Sequence, residues 1–576
     1  MLKEPNNNVK KIGIIEICIF FLFIIISIFF YPAILHPNTQ ISGQGGGDDY
    51  GTIYNFWWNK YSKDNNLNLY NNQLLNYPYG NNFYQNLQPF WNFIINNILL
   101  NFCSDICSYN IINWISFPLS AIAMYFLAFY LTKNRFISLL AGLMYAFTPY
   151  HFIRTTGHIF LAQIEWIPLY VLYLLKTFNN PNYKNSILAG SFLALVFLSD
   201  PYYALFVVFF TIMFWIIKLF FGYKQAVLKY FFIITVLAFS LSAIFYLPAY
   251  FQSKKTSNLV APRATEELYR WGLNQVKYYF IPSQYNYLLG NFWNKIFYKN
   301  QGMPDFEWLV YLGIPAIIFA IYCLYQCFKG KFEKDKKSII VIFLALAIFS
   351  IIFSLRPPLS PTLWIHKILP VFRVYSRMFV FVDLSIIILA IYGLQYFLNV
   401  LANNKFLAKH FSSSQIKIFI LAFIFLIISV DFLPSFETKN IGNVPEEYLW
   451  LKNQPQNTVI AEYPYTNRNF TPTQTYMFWQ RIHQHPIING QPEPDPTGKE
   501  RIRLQIFDIT NNSTPIALKK MGAKYIFLHK DYYNKPDLKD NPVLPEKILN
   551  ITDFENINPN LKLVNVINQT YIYEIK

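Results

Sequence analysis

The sequence has 576 residues, of which 54% are hydrophobic and only 14% are charged. A soluble protein usually has about 25% charged residues, so this composition excludes a wholly soluble chain and predicts an α-helical polytopic membrane protein. The formal net charge of +17 does not indicate a nucleic-acid partner, because the Lys and Arg residues lie largely in short segments between apolar runs, as the positive-inside rule predicts. We therefore expect the lipid bilayer as a partner and no nucleic acid.

The first apolar run follows a short basic start that contains Lys3, Lys10 and Lys11. It extends from residue 12 to about residue 33, which is long enough to cross about 30 Å of hydrocarbon. A cleaved signal peptide is the alternative, but its apolar region is usually about 7 to 15 residues long and ends at a small-residue cleavage site, which does not follow this run. The basic start predicts that the N-terminus lies in the cytoplasm.

The segment after the first span, residues 34–91, is predicted to be an extracytoplasmic loop. It is too long for a passive connector between neighbouring helices. It contains the sequence GQGGGDDYGTIYNFWW, in which Asp48 and Asp49 follow a glycine run. Two adjacent acids are most often solvated loop residues, but the glycines let a ligand approach the backbone closely. A carboxylate in this place could act as a general base toward a hydroxyl group.

Three aromatic residues follow the aspartates on the same segment, namely Tyr54, Trp57 and Trp58. Aromatic rings suit either the membrane interface or stacking on a sugar or a prenyl chain. We therefore include these three side chains among the predicted substrate-binding residues.

Ten further apolar runs follow, which gives about eleven predicted transmembrane helices. When the spans are counted from a cytoplasmic N-terminus, five basic segments between them all fall on the cytoplasmic side, so that they agree with one topology. The odd number of spans places the C-terminal region outside. The ten runs are at residues 110–132, 136–150, 159–176, 185–199, 202–221, 226–249, 306–328, 338–355, 379–399 and 415–433.

Polar residues that follow the third span are candidates for substrate binding. His151, Arg154 and His158 lie in the sequence TPYHFIRTTGH, and their spacings of three, four and seven place them on one face if the segment is helical. The alternative for Arg154 is snorkelling of its guanidinium group to the membrane interface. Asp200, in LSDPYYALF, lies between two apolar runs, where an ionisable group is costly unless it faces a cavity. A simple turn between helices is the alternative for Asp200.

Two arginines at the outer start of a later span form a candidate anion site. Arg373 and Arg377 lie four residues apart in VFRVYSRMFVF and so share a helical face. Guanidinium groups bind phosphate through two parallel hydrogen bonds. Contact with a lipid headgroup is the alternative.

The hydropathy falls sharply after residue 433. Residues 1–433 are therefore predicted to form the membrane domain, and residues 434–576 a soluble extracytoplasmic α/β domain. TVIAEYP and AKYIFLH have the pattern of strands, and TPIALKKMG that of a helix.

The cysteines do not predict a disulfide framework or a metal site. Cys103 and Cys107 lie four residues apart near the outer end of the second span, which would allow them to pair, but an unpaired structural role is the stronger expectation. A divalent Mg²⁺ or Mn²⁺ ion held by carboxylates and water remains open, because no ligand set follows from the spacing.

The motifs, taken in their order along the chain, resemble those of a bacterial polytopic glycosyltransferase of the GT-C type. They are GGDDYGTIYNFWW, NYPYG, AGLMYAFTPYHFIRTTGH followed by WIPL, SDPYYA and FRVYSR, and the resemblance covers roughly residues 12–433. It implies a GT-C-like membrane fold, a sugar donor activated by a lipid phosphate, and a catalytic acid in the first extracytoplasmic loop. The base would be Asp48 or Asp49, and the distance to the aromatic YNFWW favours Asp49.

The resulting hypothesis is a glycosyltransferase of the inner (plasma) membrane. It would transfer a hexose or a pentose from a polyprenyl-phosphate-linked donor to an extracytoplasmic glycan, lipid or protein acceptor. The alternative is a transporter or flippase that binds lipid-linked glycans without chemistry; inverted repeats would favour it, and none is evident in the sequence. In a third interpretation, an assembly scaffold, the loop aspartates would be dispensable.

Overall fold

The structure is a computed structural model that describes residues 13–43, 45–82, 90–220, 227–255, 263–298, 306–403, 412–435, 438–465, 471–490, 505–533 and 554–576. Most of these residues are helical. The α-helices are Ile14–Phe30, Asp48–Asp64, Phe90–Leu99, Asp105–Thr132, Arg135–Ala146, Pro149–Arg154, Trp166–Asn179, Tyr183–Ser199, Pro201–Phe220, Leu228–Lys255, Glu266–Trp271, Gly290–Trp293, Ile314–Phe328, Lys334–Ser354, Thr362–Ile368, Phe379–Ala402, Ser413–Phe432, Glu446–Lys452, Thr471–His483, Ser513–Lys520 and Lys530–Tyr533.

A helix lies at each of the eleven predicted membrane spans. Among the described residues, six helices are long and apolar enough to cross a membrane, and four more are apolar but shorter. The predicted spans at 159–176 and 306–328 differ, because the helices there begin only at Trp166 and Ile314. The number of spans therefore stays a prediction, whereas the helical membrane fold is confirmed. The six long segments are Asp105–Thr132, Pro201–Phe220, Leu228–Pro248, Lys334–Ser354, Tyr375–Ala402 and Ser414–Phe432.

The helix Phe379–Ala402 lies at the centre of the membrane part. Most of its residues are buried, and it packs against Ile314–Phe328, Lys334–Ser354 and Arg135–Ala146. Gly393 permits the contact with Ile314–Phe328, since a Cβ there would overlap the backbone oxygen of Phe319. This helix is preceded by the short 3₁₀ turn Tyr375–Met378, which places Arg377 at its outer end.

The C-terminal region contains a four-stranded sheet, of which the sequence predicts two strands. The strands of the whole chain are β1 Gln40–Ser42, β2 Asn71–Asn72, β3 Asn81–Asn82, β4 Thr438–Asn440, β5 Val459–Tyr463, β6 Ala523–His529, β7 Leu561–Ile567 and β8 Thr570–Ile575. The order in the sheet is β5-β6-β8-β7, with β5 parallel to β6 and the other two pairs antiparallel. The predicted strands TVIAEYP and AKYIFLH correspond to β5 and β6, and TPIALKKMG corresponds to the helix Ser513–Lys520.

The segment between the first two predicted spans, residues 34–91, contains regular structure. Residues Asp48–Asp64 form a helix of 17 residues, and β1 pairs with β4 at the start of the C-terminal region. Side chains from both regions also form one hydrophobic core, which includes Tyr54, Trp58, Tyr448 and Phe478. The segment therefore packs with the C-terminal domain, although that domain begins after the last predicted span.

Cys103 and Cys107 form a disulfide, whereas the sequence favours unpaired cysteines. The bond closes a five-residue turn at the start of the helix Asp105–Thr132. Disulfides persist in oxidising compartments, so this one agrees with the predicted extracytoplasmic position of the turn.

Candidate active site

The two aspartates lie in the first turn of the helix Asp48–Asp64. Gly45 and Gly46, which precede them, have positive φ angles of 66° and 93°, a conformation that glycine adopts without a steric cost. The partial positive charge of a helix N-terminus stabilises carboxylates in this turn. Consecutive side chains on a helix point about 100° apart, because there are about 3.6 residues per turn. Asp48 and Asp49 therefore face different surroundings.

Asp48 has the accessible carboxylate. Its side chain is 62% exposed, and its Oδ2 atom lies 3.5 Å from Nε2 of His158. Asp49 is only 2% exposed, and its Oδ1 accepts hydrogen bonds of 2.9 Å from the backbone N–H groups of Gly47 and Tyr50. Burial raises the pKa of Asp49 to about 6, while those two hydrogen bonds act in the opposite direction. An acceptor can reach Asp48 directly, whereas Asp49 is enclosed by its own helix turn.

His158 connects Asp48 with a group of buried charges. Burial lowers the pKa of His158 to about 4, against the effect of the Asp48 carboxylate, so the ring is neutral at pH 7. The backbone N–H of His158 also donates a 2.8 Å hydrogen bond to the carbonyl oxygen of Arg154, which ties His158 to the turn that carries this arginine. A neutral ring can donate its Nε2–H to Asp48 and so orient that carboxylate without neutralising it.

Glu307 joins two arginines at the end of the membrane part that is predicted to face outward. Its Oε2 accepts a hydrogen bond of 2.8 Å from Nη2 of Arg154, and its Oε1 accepts one of 2.7 Å from Nη2 of Arg377. Burial acts to raise the pKa of Glu307, but the two guanidinium groups hold it well below its usual value. The three side chains, which we call the outer-face cluster, carry a net charge of +1. The Nε and Nη1 groups of Arg154 find no hydrogen-bond acceptor among the described residues.

Tyrosine rings and a buried acid surround the outer-face cluster. The guanidinium carbon of Arg154 lies 4.7 Å from the centre of the Tyr150 ring, and that of Arg377 lies 4.7 Å from the Tyr202 ring. Asp200 is 2% exposed and accepts a hydrogen bond of 2.7 Å from the N–H of Tyr202, so it caps the helix Pro201–Phe220. Asp200 therefore lies in a turn between two helices and is also a buried acid, so both interpretations of this residue describe part of its surroundings.

Arg373 lies beside this group but pairs elsewhere. Its guanidinium group forms an ion pair with Glu267, and its backbone N–H donates a 3.2 Å hydrogen bond to the hydroxyl of Tyr202. Arg373 and Arg377 therefore do not form one two-pronged anion site. Arg154 takes the place of Arg373 beside Arg377.

His151 does not face this site. It is 0% exposed, and its ring nitrogens contact the backbone oxygens of Ala146 at 2.6 Å and Ala162 at 2.9 Å. These contacts tie the short helix Pro149–Arg154 to its neighbours. His151 thus supports the backbone that carries Arg154.

The aromatic residues after the aspartates lie mainly in the core shared with the C-terminal domain. Tyr54 is 0% exposed and Trp58 is 1% exposed. The hydroxyl of Tyr54 donates a 2.6 Å hydrogen bond to Gln480, and Nε1 of Trp58 donates to the backbone oxygen of Leu69 at 2.9 Å. Trp57 stacks on Tyr61 with ring centres 4.6 Å apart. These contacts fix the aspartate helix, and we leave the three residues out of the proposed substrate surface.

A divalent metal would find two ligands here, the Asp48 carboxylate and the His158 imidazole. Among the described residues, no group of three or more His, Cys, Asp and Glu side chains is arranged to hold a metal ion. Mg²⁺ usually takes six oxygen ligands, several of which can be water. The residues described do not make a complete protein site, so no step below depends on a metal.

Glu307 and Tyr202 belong to the site, although sequence reasoning did not select them as site residues. Glu307 lies in DFEWLVYLG, directly before an apolar run. Burying a carboxylate is costly unless a cationic group lies beside it. Arg154 and Arg377 are two arginines that the sequence predicts on the same side of the membrane. This charge complementarity is the signal that could have identified Glu307.

The comparisons with known proteins support a glycosyltransferase fold. The family model described as "Domain of unknown function (DUF6311)" matches residues 19–408. Comparison with curated proteins gives no significant match.

Two solved structures are similar to most of the chain. One is the arabinofuranosyltransferase AftD from Mycobacteria, with 13% identity and a TM-score of 0.52 over 97% of this chain. The other is the oligosaccharyltransferase of Archaeoglobus fulgidus in its apo form, with 14% identity and a TM-score of 0.54 over 92% of this chain. This chain spans 40% of the length of the first and 71% of the second. Both are GT-C glycosyltransferases, so the predicted GT-C-like fold is confirmed.

Proposed function

The chain belongs to the family described as "Domain of unknown function (DUF6311)", and from its GT-C-like fold and its outer-face site we propose that it is a membrane glycosyltransferase. It transfers a sugar from a polyprenyl-phosphate-linked donor to an extracytoplasmic glycan, lipid or protein acceptor. The observation that carries this proposal is the exposed Asp48 carboxylate 3.5 Å from the ring of His158, whose backbone N–H donates a 2.8 Å hydrogen bond to the carbonyl oxygen of the buried Arg154. A base and an anion site are the groups that sugar transfer from a phosphate requires.

Asp48 is the general base in this proposal. Its carboxylate takes the proton of the acceptor hydroxyl as the acceptor oxygen bonds to the anomeric carbon. The bond between that carbon and the phosphate oxygen breaks, and its electron pair stays on the phosphate. His158 donates its Nε2–H to Asp48 and keeps the carboxylate turned toward the acceptor. A single displacement of this kind inverts the anomeric centre.

Arg154 and Arg377 bind the phosphate in this proposal. Arg154 has N–H donors that the described residues leave free for an anion. Because Glu307 already holds both guanidinium groups in place, little side-chain entropy is lost when the phosphate binds. The same charges stabilise the phosphate that leaves, which carries one more negative charge than the donor.

Transfer by the purified protein tests this proposal. The wild type and the double variant Asp48→Asn/Asp49→Asn are incubated in detergent with radiolabelled polyprenyl-phosphate-linked hexoses and pentoses and with cell-envelope extracts as acceptors. We expect the wild type to move label from the lipid to a water-soluble or glycan product, and the double variant to lose at least about 100-fold in rate. Equal transfer by both proteins would contradict the proposal. Donor binding by the wild type without transfer, unchanged in the double variant, would favour a transporter instead.

A further inference from the structure

A helix of the C-terminal domain lies directly against the first turn of the aspartate helix. The helix Thr471–His483 and the helix Asp48–Asp64 pack side by side. The ring of Tyr50 stacks on the ring of Phe478, with centres 4.1 Å apart and planes 19° apart. Tyr50 directly follows Asp49 in the sequence, so this contact holds the helix turn that carries both aspartates.

Gly51 allows this close approach. A Cβ added at Gly51 would lie 3.1 Å from Cδ of Gln474 and closer still to Oε1 of the same side chain. Atoms at such distances overlap, so a larger residue at position 51 displaces either the Gln474 carboxamide or one of the two helices. Gln474 is buried, with 8% of its surface exposed, and so has little room to turn aside.

The C-terminal helix is itself anchored to the membrane part. Nη1 of Arg481 donates hydrogen bonds of 3.0 Å and 2.9 Å to the two carboxylate oxygens of Asp105. Asp105 lies in the turn that the disulfide Cys103–Cys107 closes. The guanidinium group of Arg481 also covers the ring of Phe478, with its carbon 4.0 Å from the ring centre. The ring that Tyr50 packs against is therefore held from the membrane side.

We infer that Gln474 and Phe478 are positioning residues for the proposed base, so that the C-terminal domain completes the active site instead of only covering it. This inference rests on the proposed function of Asp48. The two residues touch no substrate in this scheme; they set where the first turn of the aspartate helix lies. A displacement of about 1 Å at a catalytic group can lower a rate by about 100-fold, and the Gly51 contact leaves less free space than that.

The substitution Gly51→Ala tests the inference. Alanine is the better helix former, so the change should not unfold the helix. It should nevertheless push the first turn away from Gln474. We expect kcat to fall by at least about 10-fold, with an unchanged KM for the donor, because the arginines that bind the phosphate are not displaced. The second substitution, in Gly51→Ala/Gln474→Ala, removes the Gln474 amide, so that the methyl group at position 51 fills the space between the two helices in its place and should restore most of kcat.

Gly490→Ala is the matched control. A Cβ at Gly490 would lie 2.6 Å from Oδ1 of Asn76, so this change crowds the same two regions at a point away from the aspartates. We expect its kcat to stay within about 2-fold of the wild-type value. An equal loss of kcat in Gly490→Ala, or no recovery in the double variant, would overturn the inference and leave only a general requirement for packing.

Hydrogen–deuterium exchange gives a readout that does not need activity. We expect faster exchange of a peptide spanning residues 45–56 in Gly51→Ala, and wild-type exchange in both the double variant and Gly490→Ala. If the wild type transfers no sugar, the proposed function fails whatever the exchange shows. If the wild type is active but exchange and kcat do not change together across the variants, the positioning role is wrong while the proposed function stands.

Discussion

Two of the buried acid–base groups among the described residues have similar chemistry and different surroundings. The outer-face cluster joins Glu307 to Arg154 and Arg377. The second group, in the C-terminal sheet, joins Glu462 to His529 at 2.9 Å and to the hydroxyl of Tyr448 at 2.7 Å. Both groups bury a carboxylate almost completely.

The difference between them lies in what adjoins each group. Glu462, His529 and Tyr448 are 0%, 3% and 1% exposed, and the second nitrogen of His529 contacts Thr570. The outer-face cluster is also buried, but through His158 it adjoins the carboxylate of Asp48, which is 62% exposed. A buried charge network alone therefore indicates packing as often as chemistry. We assign catalysis to the outer-face cluster, because the exposed carboxylate of Asp48 lies beside it.

The largest expected effect concerns the side of the membrane on which the two groups lie. Both groups are predicted to lie outside the cell, with the C-terminal domain on the same side as Asp48. A membrane-impermeant thiol reagent applied to intact cells should label a cysteine placed at Asn512 and should miss one at Lys334. Inside-out vesicles should show the opposite pattern. Labelling of Lys334 from outside the cell would reverse the topology and remove Asp48 from the outer face.

The next largest effect distinguishes Asp48 from Glu462. Asp48→Asn should lower kcat by at least about 100-fold, because the amide cannot accept the proton of the acceptor. Glu462→Gln should leave kcat of the folded protein within about 3-fold and should lower the free energy of unfolding by about 1 to 3 kcal/mol, because it weakens a buried hydrogen-bond network. Steady-state kinetics and thermal unfolding in detergent measure the two effects. If Glu462→Gln lost as much kcat as Asp48→Asn, the distinction between the groups would fail.

A smaller effect distinguishes two arginines that each bind a carboxylate. Arg377→Lys keeps the charge but loses the planar fork, so the KM for the donor should rise by about 10-fold. Arg481→Lys is the matched control, since Arg481 pairs with Asp105 away from the proposed phosphate site and should leave the donor KM unchanged. An unchanged donor KM in folded Arg377→Lys protein would make Arg377 a structural residue or a lipid-headgroup anchor.

The smallest effect concerns the stability of the aspartate helix. The folded-state pKa of Asp49, about 6, lies above its ordinary value of 3.8. The folded chain therefore holds this proton more tightly than the unfolded chain, and stability falls as the pH rises from about 4 to about 6 and stays lower above that. Asp49→Asn removes this cost and should stabilise the protein at pH 8 by about 1 to 3 kcal/mol. The gain should vanish near pH 4. Thermal unfolding across this pH range measures the difference, and a gain that is independent of pH would contradict it.

The sequence predicts the membrane part well because hydropathy is a local property. All eleven apolar runs contain helices, and five predicted site residues, Asp48, Arg154, His158, Asp200 and Arg377, come together at one end of the helices. Their clustering follows from a common rule: charged groups that cannot lie in hydrocarbon collect where spans end.

The sequence could not predict which of the two adjacent aspartates is open. That depends on where the helix begins and on what covers each side, and both follow from tertiary packing. The roles of Tyr54 and Trp58 were missed for the same reason. Their amphipathic rings suit a sugar surface and an interdomain core equally well, and only the partners Gln480 and Leu69 distinguish these environments.

A structure of the Asp48→Asn variant with a bound polyprenyl-phosphate-linked sugar would test the central claim most directly. The account predicts that the phosphate lies within hydrogen-bond distance of Arg154 and Arg377 and that the anomeric carbon faces residue 48 on the opposite side. A donor bound with its phosphate away from both arginines, or with its sugar out of reach of residue 48, would contradict the assignment of Asp48 as the base.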